Sequence, residues 1–228
     1  MLLYQQIRNY IHQLLSEGTL NTGDKLPSER LLQEQFNSTR ITVREALLRL
    51  EAEGLIYSQT RRGWFVTPTK LKWNPATKVN FYELAKQQGF VADTQVISHQ
   101  EISNHDLKAE FSASTLHHLQ RARSLDERLV MFEDIFCDAV RFDGLAEHNL
   151  NGSITQIMAN QYATNVVNEQ CAISVTVLPD DVAQVLQKNS GTPCLKVIRK
   201  RFDELGSLVD YNIEYWLHNA IEMTVEGH

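Results

Sequence analysis

Arg40 and Arg44 stand one helical turn apart with Thr42 between them, so on a helix the two guanidiniums share a face. Arginine can donate two bonds to guanine O6 and N7 or hold a phosphate, and threonine can meet a phosphate or a thymine methyl. A short helix carrying these residues near its N-terminus is what reading the DNA major groove requires. Arg30 begins the preceding helix and is placed to hold the backbone. Arg61-Arg62-Gly63 suits the tip of a wing, because glycine lets a backbone approach closely and arginine suits a narrow minor groove. On an isolated helix the same arginines would read as solvated surface residues, with Arg44 paired to nearby acids. Their setting between two further elements favours DNA.

A second constellation lies farther along. Leu119, Arg121, Arg123 and Leu125 alternate, so on a strand both arginines face one side. Met131, Glu133, Ile135 and Cys137 do the same on the next apolar run. A hairpin centred near Glu127 puts Glu133 opposite Arg121. Two arginines and one carboxylate make a polar floor able to hold an anion while the carboxylate accepts hydrogen bonds. The alternative is a plain cross-strand salt bridge on a wet sheet face, and spacing alone leaves both open.

These residues need elements to carry them. Ile7, Ile11, Leu14 and Leu15 predict a helix over 4–17 that Gly18 stops. Pro27-Ser28 announces a second helix to Phe36, capped by Ser28. Three residues, Asn37-Ser38-Thr39, lead to a third over 40–53, with Thr39 as N-cap and Val43, Leu47 and Leu50 inward. Two short strands, 55–57 and 64–66, flank the Arg61-Arg62-Gly63 turn. Three helices and a hairpin in about 67 residues are a winged helix-turn-helix arrangement. Residues 68–80 hold two prolines, three lysines and no acid, and read as a linker spanning at most roughly 45 Å. From 81 onward the pattern is α+β. Helices are predicted over 81–88, 105–111, 153–161 and 180–188. Strands are predicted over 93–102, 117–125, 129–138, 170–178, 193–203 and 207–217.

Composition sets the outer bounds. The 228 residues carry a net charge of −6 and are 43% hydrophobic, ordinary for a folded protein. Residues 1–67 hold eight Lys and Arg against seven Asp and Glu, and the remainder fourteen against twenty-one. The slightly basic head and acidic body fit two domains, 1–67 and 81–228. No run approaches the 18 or so apolar residues of a membrane span, and the start lacks a signal peptide's basic and apolar regions. Three scattered cysteines give neither a disulfide framework nor a CxxC zinc site, and fit a reducing cytoplasm.

The run GDKLPSERLLQEQFNSTRITVREALLRLEAEGLI (23–56) resembles the N-terminal domain of GntR-family bacterial transcription regulators. The LPSER, TRxTVREAL and LEAEGLI blocks stand in order at the family's spacing. The resemblance implies that Arg30, Thr39, Arg40, Thr42 and Arg44 contact operator DNA and that Arg62-Gly63 enters the minor groove, beside Arg61. The wing departs from the family's Gly-x-Gly-Thr-Phe-Val, reading Arg61-Arg62-Gly63-Trp64-Phe65-Val66.

Roughly residues 75–225 resemble the UTRA effector domain of the HutC-type subfamily, related in fold to chorismate lyase. The likeness rests on RARSLDERLVMFEDIF (121–136), on LQKNSGTPCLKVIRKRFDELGSLVDYNIEYW (186–216) and on Ser153 twenty residues after Glu133. It implies an antiparallel sheet with helices and a homodimer formed through this domain. Relatives that bind phosphorylated amino sugars hold the phosphate with two arginines and a serine, and the sugar with two acids. The matching positions are Arg121, Arg123, Ser153, Glu133 and Asp210, with Thr155 and Trp216 at two further pocket positions. The second acid is usually Glu; here it is Asp210. Thr155 and Trp216 replace frequent tyrosines.

Other signals are weak. His117-His118 and His105-Asp106 lack a second ligand pair at metal spacing, and G-x-S-x-G, P-loop and HExxH motifs are missing. No metal or cofactor is expected. The function expected is a cytoplasmic, ligand-responsive regulator, a repressor released from double-stranded operator DNA by a small anionic effector. The alternative is a chorismate-lyase-like enzyme tethered to DNA, which would need a general acid placed against a substrate, and none is unambiguous.

Overall fold

The computed structural model describes residues 2–59, 61–77 and 80–225. Helices α1 (Leu3–Ser16), α2 (Glu29–Phe36) and α3 (Arg40–Ala52) precede an antiparallel hairpin of β1 (Ile56–Gln59) and β2 (Gly63–Val66). The helix starts follow from their caps. Ser28 Oγ accepts from Leu31 N–H, and Thr39 Oγ1 from Thr42 N–H, each at 3.2 Å. Ile7 and Ile11 of α1, Leu32 of α2, Val43, Leu47 and Leu50 of α3 and Trp64 of β2 close one buried core.

The second unit is built on a six-stranded antiparallel sheet. Its strands are β4 (Ala92–Ser103), β5 (Thr115–Leu125), β6 (Arg128–Asp138), β7 (Asn168–Val177), β8 (Pro193–Phe202) and β9 (Leu208–Leu217), in the order β4-β5-β6-β9-β8-β7. Helix α4 (Phe81–Gln87) precedes the sheet. A 3-10 turn (Leu145–Glu147) and α5 (Ile154–Tyr162) follow β6, and α6 (Asp180–Val185) follows β7. Asp126 and Glu127 both have positive φ, which makes the two-residue β5–β6 turn and fixes Arg121 opposite Glu133.

The register continues across the sheet. Glu133 pairs with Glu214, Glu214 with Val197, Asn212 with Arg199 and Asp210 with Arg201. Because side chains alternate, all of these share a face with Arg121 and Arg123. At one end of that face Leu119, Ile135 and Cys137 pack under Ile154 and Met158 of α5. The opposite face buries Leu116, Phe111 and Tyr211, with Phe136, Ile198 and Ile213 packed against them.

Three expectations need revision. Residues 105–111 are not a helix. The Asn104 side chain accepts from Leu107 N–H and donates to Phe111 O and Ala113 O, closing the segment as a loop around itself. The helix expected over 180–188 ends at Val185, since Leu186 caps it and Gln187 has φ 55°. The expected linker 68–80 contains β3 (Leu71–Trp73), which pairs with β10 (Ile221–Met223); its Lys78 and Val79 lie outside the described residues. The first unit runs to Leu71 and takes in His218–Glu222, and the second begins at Lys72.

Candidate DNA-reading surface and effector pocket

Arg30, Arg40, Thr42 and Arg44 are set by the α2–α3 corner, and one acid organises it. Glu29, the first residue of α2, accepts from Arg40 Nε at 3.1 Å and from Trp64 Nε1 at 3.2 Å, and lies 3.5 Å from Arg44 Nε. It ties the recognition helix to the wing strand. Trp64, the departure in the wing, is thereby explained: its ring is in the core and its N–H is on Glu29. The Arg40 and Arg44 side chains remain 69% and 55% exposed. Arg30 is still more exposed and, among the described residues, reaches only Glu34 on its own helix. Thr39 and Thr42 bring their hydroxyls to 3.0 Å.

The wing turn holds Arg61 at φ 63° and Gly63 at φ 104°. A β-carbon at Gly63 would be strained there, whereas Arg61 occupies the left-handed region in place of a glycine. Arg61 and Arg62 are both exposed, with the Arg62 guanidinium over the Phe65 ring.

In the second unit a cavity of about 240 Å³ opens over the charged face of the sheet. Arg121, Arg123, Glu133, Ser153, Thr155 and Trp216 all line it. Asp210 does not. Its carboxylate is fully buried on Arg201 Nη1, at 3.3 and 3.2 Å, and on the Asn212 side chain. The β8–β9 register puts Arg201 directly beside it. Four residues along β9, on the same face, Glu214 is the second acid that lines the cavity.

The two arginines differ. Arg121 is 1% exposed, and its Nε and Nη2 both close on Glu133 Oε1 while Nη1 donates to Leu150 O and Gly152 O. It holds the turn that leads into α5. Burial pulls its pKa down to about 10 despite Glu133. Arg123 sends Nε and Nη2 to the same Glu133 oxygen, lies over the Phe81 ring at 4.8 Å, and keeps Nη1 without a hydrogen-bond partner among the described residues. Burial pushes the Glu133 carboxyl up, but the two arginines pull it further down, so it stays ionised below the usual range.

Ser153 caps α5, accepting from Gln156 N–H at 3.3 Å, and its hydroxyl lies 3.1 Å from that of Thr155. Ser153, Ile154 and Thr155 at the start of α5 line the same cavity as Arg123, and a helix N-terminus and a guanidinium both favour an anion.

Sequence reasoning missed the far half of the pocket: Arg199, Arg201, Glu214, Trp73, Phe81 and Tyr82. Arg199 donates through Nε to Glu214 at 2.7 Å and through Nη1 to Glu169, and lies over the Trp73 ring. Arg201 reaches Glu169 and Asp210. Burial raises the Glu214 carboxyl, yet Arg199 and the Trp216 N–H outweigh it and bring it to about 2. Burial of Asp210 outweighs Arg201, so its carboxyl rises. One end of the pocket thus sets two arginines against one acid. At the other, the lining guanidiniums of Arg199 and Arg201 are held by Glu214, which lines the cavity, and by Glu169 and Asp210, which do not.

Among the described residues no helix is long and apolar enough to cross a membrane, and no group of three or more His, Cys, Asp or Glu is placed to hold a metal ion.

Residues 3–66 match the family of bacterial regulatory proteins named gntR, and residues 87–222 match the UTRA domain family. The chain is 26% identical over 226 residues to the uncharacterized HTH-type transcriptional regulator YihL of Escherichia coli K12, covering 97% of this chain and 96% of that one. It is 25% identical over 230 residues to the probable fructoselysine utilization operon transcriptional repressor of Escherichia coli O157:H7, covering 99% and 95%. The crystal structure of PhnF from Mycobacterium smegmatis shares the fold, with a TM-score of 0.67 at 21% identity over 97% of this chain and 99% of that one.

Proposed function

The chain belongs to the GntR family of DNA-binding transcription regulators and carries a UTRA effector domain, and from that premise we propose that it is a homodimeric repressor released from its operator by a small anionic metabolite. The family is one of regulators rather than enzymes, which displaces the lyase reading. The observation that carries the effector class is Arg123. It is a cavity-lining guanidinium with an unengaged Nη1, beside the Ser153-capped start of α5. A phosphate, phosphonate or carboxylate meets charge and donors there.

The rest of the ligand is polar. At the end around Glu214 each guanidinium is already held by two carboxylates, Arg199 by Glu169 and Glu214 and Arg201 by Glu169 and Asp210. A second anionic group would find those charges already neutralised, whereas hydroxyls or an ammonium would be accepted. A hydroxylated or zwitterionic anion fits both ends. A relative bears the name of a probable fructoselysine utilization operon transcriptional repressor, which supports repression as the regulatory sense. Two heads can share adjacent half-sites only about 34 Å or a multiple apart. A ligand favouring another spacing lowers operator affinity by its differential binding free energy.

A thermal-shift screen of the full chain against phosphorylated and carboxylated metabolites tests this. At least one compound should raise the wild-type Tm and leave Arg123→Gln unmoved. Equal stabilisation of both proteins by every hit would place the ligand elsewhere.

A further inference from the structure

One side chain of the reading helix is unaccounted for by polar contacts. Ile41, the second residue of α3, is 81% exposed, while Val43, Ala46, Leu47 and Leu50 of the same helix are fully buried. Exposure alone carries little, since Leu205 and Val140 are as exposed on the other unit. Position decides. Ile41 lies in the N-terminal turn of the recognition helix, the part that meets base edges in helix-turn-helix complexes.

Its neighbours are anchored. Thr42 is drawn back to Thr39 through both its amide and its hydroxyl. Arg40 and Arg44 lean toward Glu29 of α2. Ile41 projects between them without an anchor, three residues from Arg44 and so on the same face. It can bond neither to a phosphate nor to a base nitrogen or oxygen. Its hydrocarbon gains only by leaving water against other hydrocarbon. The floor of the major groove offers one such group, the C5-methyl of thymine.

We propose that Ile41 packs on a thymine methyl group, so that the operator carries a thymine read by its methyl rather than by its hydrogen-bonding edge. Arg40 and Arg44 then supply phosphate and guanine contacts around a position fixed by shape.

The test begins with enrichment of the 228-residue chain on random duplex DNA, followed by replacement of each motif thymine by deoxyuridine, which removes the methyl and leaves base pairing intact. One replacement should weaken wild-type binding about fourfold, the worth of one methyl-sized group leaving water. Ile41→Ala should weaken the unmodified duplex by a similar or larger factor and be indifferent to that replacement, while Arg44→Ala remains sensitive to it. Ile41 is exposed and alanine favours helix, so the variant should fold; a circular-dichroism melt verifies this. If no thymine methyl matters to the wild type, or if Ile41→Ala keeps the full deoxyuridine effect, the proposal is overturned. Failure to enrich any motif would overturn sequence reading by the head as a whole, a distinguishable result.

Discussion

Arg121 and Glu133 face each other in register on β5 and β6, and Arg121 Nε and Nη2 both close on one oxygen, Glu133 Oε1, at 2.7 and 2.6 Å. With Nη1 on Leu150 O and Gly152 O, this guanidinium serves the fold and positions the Ser153 turn. Arg121→Met should therefore destabilise the protein by about 3–5 kcal/mol, because it removes the more deeply buried of the two guanidiniums on Glu133 and leaves Leu150 O and Gly152 O without their donor. Arg123→Gln leaves Arg121 on Glu133 and should cost distinctly less. Urea unfolding of the two variants checks the order, and equal losses would contradict it.

Acid should unfold the second unit through the same carboxylates. Glu133 and Glu214 titrate below their ordinary value of 4.5, Glu214 at about 2. Between those values the unfolded chain binds more protons than the folded one, so stability falls as pH drops through that window and is fully present above it. Asp210 is shifted upward, so its contribution has the opposite sign and is lost as pH rises. Urea midpoints should decline from about pH 4.5 downward, and Glu214→Gln should flatten that decline while lowering stability at neutral pH. An unchanged slope in the variant would remove Glu214 from the explanation.

On the DNA side, Arg44→Ala should weaken specific operator binding by about 1–3 kcal/mol without altering helix content. Glu29→Gln should act differently. It removes the charge and one of the two acceptor oxygens shared by Arg40, Arg44 and Trp64, so specific affinity should fall while non-specific affinity holds or rises with the lost negative charge. Anisotropy titrations on operator and scrambled duplexes separate the two; an unchanged ratio for Glu29→Gln would show that the arginines need no such anchor.

Ser153→Ala removes the α5 cap and should lower stability by about 1 kcal/mol. It should also weaken effector binding, because a donor at the mouth of the helix is lost. Ser153→Thr, which keeps a hydroxyl, should restore both, and a stability loss with unaltered ligand affinity would limit Ser153 to capping.

Much of this was legible in the residue order. The head has strong local signals, caps at Ser28 and Thr39 and apolar residues at helical spacing, and its elements fall within one or two residues of expectation. The Arg121–Glu133 register followed from a two-residue period and a short turn. The same period placed Arg199 with Arg201 and Asp210 with Glu214, and applied to β8 and β9 it would have exposed the pocket's far half. Family position alone puts Asp210 in the pocket, and in the structure its carboxylate lies on Arg201 and does not line the cavity. Trp73, Phe81 and Tyr82 come from outside the sheet, and no local pattern ties them to Trp216. Strands β3 and β10 are three residues each, with partners about 150 residues apart, beyond the reach of periodicity.

The most direct test of effector control is operator release by Arg123→Gln. The wild-type full chain, bound to an operator selected from random duplexes, should be released by at least one phosphorylated or carboxylated metabolite from the thermal screen. Arg123→Gln should bind the same operator equally tightly without ligand and stay bound at every concentration of that compound. Release of Arg123→Gln at the wild-type ligand concentration would contradict the assignment and return Arg123 to a structural partner of Glu133.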